Sequence, residues 1–368
     1  MFKLALVFGT RPEAIKMAPL VQACQRVKAW ETKVIITGQH REMVDQVLDL
    51  FELKVDYDLN IMSHGQTLSE ISQRTLTGMG EIFRGWRPDL VLVHGDTSTA
   101  FATALASFYE KIPIGHVEAG LRTQSVHNPF PEEANRRLID VLASLYFAPT
   151  EQAAANLREE GIDPGKIFVT GNTVIDALLS VVDDNYVFRT PVLQTIDFNK
   201  PLLVVTAHRR ENWGEPLKGI CQALLEISAG HDLQIVVAMH RNPTIQKVMR
   251  ELLGGEAKIT LLDAPDYQEF ANLLARCTLL LTDSGGLQEE APALHKPVLV
   301  MREVTERPEA VAVGTVKLVG SVKHDIVQAV HGLLTDAELY KKMSSAPNPY
   351  GDGQAALRIC AILQQKYK

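Results

Sequence analysis

Short apolar runs recur along the chain, and each is followed by a segment with helical periodicity. In the first half these runs cover residues 4–8, 34–36, 90–93, 114–117, 145–148 and 167–169. In the second half they cover residues 202–206, 235–239, 259–262, 279–282, 298–300 and 316–319. Near-continuous apolar strands that alternate with helices are typical of a parallel sheet covered on both faces. The pattern predicts an α/β fold with two doubly wound parallel sheets.

The alternation of apolar runs and helical segments is interrupted around residues 183–200. In addition, 368 residues are more than a single hydrophobic core usually contains. We therefore expect an N-terminal domain over residues 1–182 and a C-terminal domain over residues 183–350. A turn-rich break at residues 348–353 precedes an amphipathic helix from Gln354 to about Tyr367, within a C-terminal segment of residues 351–368.

The formal net charge is -7, which argues against a general nucleic-acid surface. Any anionic ligand must therefore be bound by local cations. No apolar stretch approaches the length that spans a membrane, and the apolar start is too short for a secretion signal. We expect a cytoplasmic protein with neither nucleic acid nor membrane as a partner.

The four cysteines stand far apart without a C-x-x-C pair, so buried free thiols are expected rather than disulfides or zinc. The histidines show no metal-ligand spacing, which predicts no metal site. Neither half carries a dinucleotide fingerprint or a P-loop. These patterns disfavour a nicotinamide oxidoreductase and a P-loop phosphotransferase, and no cofactor is expected.

The most informative stretch runs from Leu279 to Ala291, where a strand ends in Thr282 and Asp283 and a turn leads into a helix. Ser284, Gly285 and Gly286 form that turn, and glycine allows a ligand to approach the backbone closely. A turn of this kind suits phosphate or pyrophosphate, and Glu290 could reach sugar hydroxyls beside it. An ordinary helix capped by serine would show the same residues.

Charged side chains gather after several predicted strands, at the sheet edge where open α/β sheets bind ligands. Asp96, Glu118 and Glu132 are carboxylates in such positions, although helix capping or a turn would also explain each of them singly. Arg11 and Lys16 follow the first strand, and Lys16 would equally fit a solvated helix face. A cluster of one imidazole and two guanidinium groups is formed by His208, Arg209 and Arg210. Such a cluster favours recognition of a phosphorylated ligand.

Longer motifs resemble the bacterial non-hydrolysing UDP-N-acetylglucosamine 2-epimerases, from Met1 to beyond the segment 348–353. The matching stretches are residues 8–19, 94–97, 115–122, 131–136, 282–291 and 305–309. The resemblance implies two Rossmann-like domains facing a cleft, the GT-B plan shared with many glycosyltransferases. It also implies a C-terminal helix that packs back on the N-terminal domain, UDP binding by the C-terminal domain, and a homodimer.

The same resemblance implies roles for individual residues. The implied catalytic residues are Asp96, Glu118, Glu132 and His208. The implied substrate-binding residues are Arg11, Lys16, Pro265, Phe270, Ser284, Gly285, Gly286, Glu290 and Arg307. A regulatory substrate site found in some members is matched in part by Gln39, His40, Arg74, Arg209 and His240, with Glu42 in place of a frequent glutamine.

The family chemistry implied by the resemblance is reversible epimerisation of UDP-N-acetylglucosamine to UDP-N-acetylmannosamine, by anti elimination of UDP and its re-addition. Its product would supply surface polysaccharide synthesis. A GT-B glycosyltransferase using a UDP-sugar donor is the main alternative, and a hydrolysing epimerase or a non-catalytic nucleotide-sugar sensor are further ones. Carboxylates are predicted to serve the proton transfers, with the one that takes the C2 proton left open.

Overall fold

The computed structural model describes residues 1–39, 41–123 and 125–367, without the side chains of Arg41 and Arg210. The chain divides into two compact units. The first unit contains Met1–Ala177 together with Tyr350–Lys368, and the second contains Leu178–Pro349.

The first unit is a parallel sheet in the order β3-β2-β1-β4-β5-β6-β7, with helices between successive strands. Its strands are β1 Phe2–Phe8, β2 Trp30–Ile36, β3 Tyr57–Asp58, β4 Leu90–His94, β5 Ile114–Val117, β6 Leu145–Ala148 and β7 Ile167–Val169. Its first helices are α1 Arg11–Gln25, α2 Arg41–Leu50, α3 Leu68–Gly85, α4 Ser98–Tyr109, α5 Glu132–Leu142, α6 Glu151–Glu159 and α7 Thr173–Val181, which ends beyond the unit.

The second unit repeats this plan with the strand order β10-β9-β8-β11-β12-β13. Its strands are β8 Leu202–Ala207, β9 Gln234–Met239, β10 Ile259–Asp263, β11 Leu279–Thr282, β12 Val298–Val300 and β13 Val316–Leu318. Its helices are α8 Glu215–Gly230, α9 Pro243–Leu253, α10 Tyr267–Arg276, α11 Leu287–Ala293, α12 Pro308–Val313, α13 Lys323–Thr335 and α14 Ala337–Ser344.

The last helix, α15 (Ala355–Lys366), packs on α1 within the first unit. Its first turn is fixed by the carboxylate of Asp176, which accepts hydrogen bonds from the backbone N–H groups of Ala355 (3.1 Å) and Ala356 (2.8 Å). A carboxylate in that position satisfies N–H groups that have no partner inside the helix. The start of α15 is thereby tied to α7.

The predicted fold class is confirmed: both units are doubly wound, Rossmann-like parallel sheets. The central strands β1, β4, β8 and β11 are buried almost throughout, because helices cover both faces, and this explains their continuous apolar runs. The pattern missed β3, whose two residues are too short to give a periodic signal. The four cysteines are free and buried, as predicted. Across the described ranges, no helix is both long enough and apolar enough to span a membrane.

Candidate active site

Loops from adjacent strands of the first unit meet at the carboxyl edge of the sheet. Strands β1, β4 and β5 are neighbours, and the strand order reverses between β1 and β4. Open parallel sheets bind ligands in the crevice at such a point. The turn and helix after β1, the turn after β4 and the turn after β5 therefore present their side chains to one region.

A cavity of about 340 Å³ occupies this region. Its lining includes five residues predicted for catalysis, binding or regulation, namely Lys16, Gln39, Asp96, Glu118 and Glu132. The other lining residues are Thr10, Pro12, Glu13, Leu68, His94, Gly95, Thr97, Ser98 and Pro131. Asp96, Glu118 and Glu132 thus line the same cavity, whereas Arg11 begins α1 and does not line it.

Glu118 is held in a strained and well-defined conformation at the end of β5. Its φ is +66°, a region that costs a residue with a side chain roughly 1–3 kcal/mol and that is concentrated at functional sites. Its Oε2 accepts hydrogen bonds from Nζ of Lys16 at 2.5 Å and from Nδ2 of Asn172 at 2.7 Å. Asn172 was not among the predicted site residues, although the polar segment 171–173 follows β7.

Asp96 is held from α5 rather than used as a helix cap. The cap of α4 is Thr97, whose side chain accepts from the N–H of Ala100 at 3.0 Å, so helix capping does not explain Asp96. Arg136 donates to Oδ2 of Asp96, and Asn135 donates to its backbone carbonyl at 2.9 Å. Both donors belong to the motif 131–136, which explains why that motif accompanies the carboxylate.

The two glutamates at the start of α5 have different surroundings. Glu133 is fully buried and accepts from the N–H of Thr123 (3.1 Å) and from the guanidinium groups of Arg136 (3.2 Å) and Arg137 (2.7 Å). Glu132 is partly exposed and lines the cavity. The two glutamates therefore have different roles: Glu133 holds the loop before α5, and Glu132 faces the cavity.

Glu13 is a buried carboxylate that the sequence did not single out. It accepts hydrogen bonds from the N–H (2.8 Å) and hydroxyl (2.8 Å) of Thr10 and from the hydroxyl of Thr97 (2.7 Å). Burial raises its pKa, and these hydrogen bonds oppose the rise. Glu13 therefore joins the first turn of α1 to the start of α4, and a capping-box spacing from Thr10 to Glu13 is its sequence signal.

Two buried histidines lie behind the carboxylates. His116 donates from Nε2 to the carbonyl of Gly95 at 2.7 Å, and its Nδ1 pairs with Oδ1 of Asp140 at 2.6 Å. His94 lines the cavity, and its Nε2 has no hydrogen-bond partner among the residues that the structure describes. Its pKa is lowered to about 3, chiefly by burial, with Lys16 and His116 adding to the effect and Glu118 opposing it.

In the second unit, His208 is fixed by Asp283 at the ends of the neighbouring strands β8 and β11. Nδ1 of His208 lies 2.8 Å from Oδ1 of Asp283, and the backbone N–H groups of His208 and Arg209 both donate to that carboxylate at 2.9 Å. Burial alone would raise the pKa of Asp283, but its hydrogen bonds with His208, Arg209 and Asn212 hold that pKa below its usual range. These contacts fix the orientation of the imidazole.

The turn after β11 has a carboxylate in front of it. A Cβ atom on Gly285 would lie 2.7 Å from Oε1 of Glu306 and 3.5 Å from a guanidinium nitrogen of Arg209. Glu306 is held there by Arg209 at 2.9 Å and by Arg302 at 2.5 Å. A Cβ atom at position 285 would therefore displace the carboxylate of Glu306. The helix that follows, α11, is only seven residues long.

The remaining predicted binding residues of this unit lie on nearby elements. Glu290 accepts from the hydroxyl of Tyr267 at 3.3 Å, and Tyr267 opens α10. Pro265 precedes that helix, Phe270 lies in its first turns, and both are partly exposed. Arg307 donates to the buried carboxylate of Glu289. The structure therefore brings Glu290 to the start of α10, and it places Arg307 in an ion pair beside α11.

The residues predicted for regulation fall into three places. Gln39 lines the cavity of the first unit and accepts from the hydroxyl of Thr99 at 2.9 Å. Arg74 is exposed and donates to the carbonyl of Ile61 at 3.0 Å. In the second unit, the ring of His240 stacks with that of His208 at 6.1 Å between centroids, while Arg209 pairs with Glu306. His40 lies outside the described residues.

Comparisons with known proteins agree on one family. The family model described as UDP-N-acetylglucosamine 2-epimerase matches residues 22–364. UDP-N-acetylglucosamine 2-epimerase of Escherichia coli (strain K12) is 52% identical over 376 residues, which cover 98% of each chain. UDP-GlcNAc 2-epimerase from Neisseria meningitidis, solved bound to UDP-GlcNAc, has a TM-score of 0.90 and 47% identity, covering 99% of this chain and 100% of that one.

A more distant solved structure shows the same similarity. UDP-GlcNAc 2-epimerase from Methanocaldococcus jannaschii, in complex with UDP-GlcNAc and UDP, has a TM-score of 0.81 and 36% sequence identity. The match covers 99% of this chain and 100% of that one. The similarity therefore extends over both units of the fold.

Proposed function

The chain belongs to the UDP-N-acetylglucosamine 2-epimerase family, and we propose that it interconverts UDP-N-acetylglucosamine and UDP-N-acetylmannosamine by eliminating and re-adding UDP. The observation that carries this proposal is the cavity of the first unit, where Asp96, Glu118 and Glu132 lie together beside Lys16. Three carboxylates and one ammonium group around one space suit a reaction that moves protons at a sugar carbon.

The chemistry explains why carboxylates are needed. Carbon 2 of the substrate is not next to a carbonyl, so its hydrogen is barely acidic. When the C1–O bond breaks and UDP leaves, positive charge develops on the ring and the C2 hydrogen becomes removable. A base then takes that proton, a C1–C2 double bond forms, and 2-acetamidoglucal results. Re-addition of UDP at C1 with proton delivery to the opposite face of C2 completes the inversion.

We assign these proton transfers, and the stabilisation of the developing cation, to Asp96, Glu118 and Glu132. Each is held differently, since Arg136 binds Asp96, Lys16 and Asn172 bind Glu118, and Glu132 begins α5. Inversion at C2 needs one group that removes the proton and one that delivers a proton to the opposite face, and three differently held carboxylates can supply both. This arrangement supports two proton-transfer groups without deciding between the three.

The departing diphosphate needs cations and hydrogen-bond donors. We propose that His208, Arg11 and the turn of Ser284, Gly285 and Gly286 bind it. The partly exposed ring of His208, oriented by Asp283, supports this role. We assign the rest of the nucleotide sugar to Lys16, Pro265, Phe270, Glu290 and Arg307.

Three further proposals follow from family membership. We propose that the chain acts in the cytoplasm, in synthesis of surface polysaccharide, and as a homodimer. Exposed apolar side chains on α4 and α5, including Tyr109 (65% exposed) and Val141 (78% exposed), support an interface between copies. Light scattering of the purified chain would contradict the dimer if it gave the mass of one chain.

Regulation by substrate is a separate proposal for Gln39, His40, Arg74, Arg209 and His240. The stacking of His240 on His208 supports a connection between this set and the proposed diphosphate site. Substrate that binds a second site and favours the active state would make the rate rise sigmoidally with its concentration. A hyperbolic dependence would contradict the proposal.

A proton NMR time course with UDP-N-acetylglucosamine as the sole substrate tests the main proposal. Appearance of UDP-N-acetylmannosamine up to a constant ratio supports it. Release of free N-acetylmannosamine and UDP would indicate a hydrolysing epimerase instead. An unchanged spectrum, followed by sugar transfer once an acceptor is added, would indicate a glycosyltransferase, and binding without any turnover would indicate a sensor.

A further inference from the structure

His94 presents a buried nitrogen without a partner at the wall of the proposed active site. Its side chain is 3% exposed, and within the described parts of the chain Nε2 forms no hydrogen bond. Buried polar atoms are nearly always bonded, so an exception calls for a functional explanation. The atom facing this nitrogen is Oε2 of Glu118, at 3.8 Å, which is beyond hydrogen-bonding distance.

The ring of His94 is neutral, so one of its two nitrogens is available as an acceptor. Burial is the main cause of its low pKa of about 3; Glu118 opposes this shift, and Lys16 and His116 add to it. A neutral imidazole has one nitrogen that donates and one that accepts, and the proposal places the lone pair on Nε2, the nitrogen without a partner. An ionised carboxylate cannot donate to that lone pair, whereas a protonated one can.

Oε2 of Glu118 therefore has hydrogen-bond donors nearby for its ionised state and an acceptor nearby for its protonated state. The ionised form accepts from Lys16 at 2.5 Å and from Asn172 at 2.7 Å. A protonated Oε2 would donate its hydrogen to Nε2 of His94 after a shift of about 1 Å, since hydrogen bonds of this kind are about 2.8 Å long. Asn172 could still donate to that oxygen, while the ammonium group of Lys16 would have to withdraw.

We propose that His94 is a positioning residue for the epimerisation, which accepts a hydrogen bond from Glu118 whenever Glu118 holds the proton of C2. This inference rests on the proposed function, and it makes Glu118 one of the two proton-transfer groups. In the elimination direction the C2–H bond breaks, the proton binds Oε2 of Glu118, and the C–H electron pair forms the C1–C2 double bond as UDP leaves. His94 accepts a hydrogen bond and takes no proton.

The proposal assigns a second function to the ion pair of Lys16 and Glu118. Neutralisation of Glu118 releases the positive charge of Lys16 in the same step in which UDP gains negative charge. Lys16, which the proposed function assigns to the nucleotide sugar, would then also be available for the leaving diphosphate. A bond that forms only when Glu118 is protonated favours the intermediate over the bound substrate.

A matched pair of substitutions tests the proposal. His94→Gln keeps an amide oxygen near the position of Nε2, whereas His94→Asn keeps a polar atom only near the position of Nδ1. The measurement is kcat and kcat/KM for UDP-N-acetylglucosamine from pH 5 to 10, with thermal melting and UDP binding as folding controls. The titratable groups that line the cavity are Glu13, Lys16, His94, Asp96, Glu118 and Glu132. Because several of them could shape the pH profile, Glu118→Gln is measured under the same conditions to identify the contribution of Glu118.

We expect His94→Asn to lower kcat about tenfold, because one hydrogen bond to the reacting carboxyl is lost. Its pH profile should move to lower pH by about one unit, since the protonated form of Glu118 is no longer stabilised. His94 itself stays neutral over this range and contributes no limb of its own. His94→Gln should retain most of the rate and the parent pH profile.

The proposal would be overturned if both variants lost the same fraction of kcat and their pH profiles did not shift. A purely structural role of His94 predicts that result. A variant His94→Asn with the parent rate would also overturn the proposal. If His94→Asn does not fold, a shifted pH profile in His94→Gln would also contradict the role. A fully active Glu118→Gln would instead contradict the proposed function, so the two failures are distinguishable.

Discussion

Nδ2 of Asn172 donates to Oε2 of Glu118 over 2.7 Å, although the two residues are 54 positions apart in the chain. Asn172 is itself fixed, since its N–H donates to the carbonyl of Tyr350 at 2.7 Å and its Oδ1 accepts from the N–H of Val174 at 3.1 Å. The C-terminal segment therefore reaches the candidate active site through Tyr350 and Asn172.

Replacing Asn172 with aspartate should impair turnover without unfolding the protein. The new carboxylate keeps the acceptor for Val174 but faces Glu118 with a second negative charge and without the donor. We expect kcat to fall about 10- to 100-fold, the size of a lost hydrogen bond to a charged group. Steady-state kinetics check this, with Asn156→Asp as a control because Asn156 donates to Gly120 away from the cavity. Parent kinetics in Asn172→Asp would contradict the role.

Asp96→Asn should lower turnover by about 10²- to 10⁴-fold while the melting temperature changes little. The amide keeps the shape of the carboxylate and loses its charge, its proton affinity and its ion pair with Arg136. Glu81→Gln, on the exposed face of α3, is the matched control for loss of one carboxylate. A near-normal rate in Asp96→Asn would remove this residue from the proposed mechanism.

The buried carboxylate of Asp283 should make the stability of the second unit depend on acid. Its folded-state pKa lies below the ordinary value of 3.8, so its contribution is complete above that value and is lost as pH falls through the lower folded pKa. We expect Asp283→Asn to lower the free energy of unfolding by about 2 kcal/mol at pH 7. Urea unfolding from pH 7 to pH 3 should show this difference shrinking only below about pH 4. A difference that stays constant with pH would show that the charge is not responsible.

Gly285→Ala should weaken UDP binding about tenfold or more and lower the melting temperature. The added Cβ meets Oε1 of Glu306 at 2.7 Å, so Glu306 must move and its bonds to Arg209 and Arg302 are disturbed. Gly286→Ala is the matched control for stability, because its nearest neighbour is the Glu290 carboxylate at 3.7 Å. Adding Glu306→Ala to Gly285→Ala should recover part of the lost stability. Equal melting temperatures for both alanine variants would contradict the packing argument.

The sequence was sufficient for the strands other than β3 and for the sheet edge at which the charged groups gather. Runs such as residues 202–206 and 279–282 are apolar on both faces, so local composition identifies them. Motif resemblance then selected Asp96, Glu118 and Glu132, and the structure brings all three to one cavity. What local pattern could not supply was the partner of each carboxylate.

These partners could not be predicted from the sequence, for identifiable physical reasons. Glu13 looks like a helix N-terminal residue, and His94 looks like the last residue of a buried strand; both descriptions are correct but incomplete. Lys16 and Glu118 are 102 positions apart, so their ion pair exists only after strands β1, β4 and β5 align. The capping of α4 by Thr97 rather than Asp96 depends on a side-chain geometry that neighbouring residues could equally adopt.

The central claim is that bond breakage at C1 makes the C2 hydrogen exchangeable within the site formed around Asp96, Glu118 and Glu132. Incubation of UDP-N-acetylglucosamine with the protein in heavy water tests it most directly, with the product analysed at C2 by proton NMR and mass spectrometry. The account predicts UDP-N-acetylmannosamine that carries deuterium at C2. Product that retains protium at C2 would contradict it.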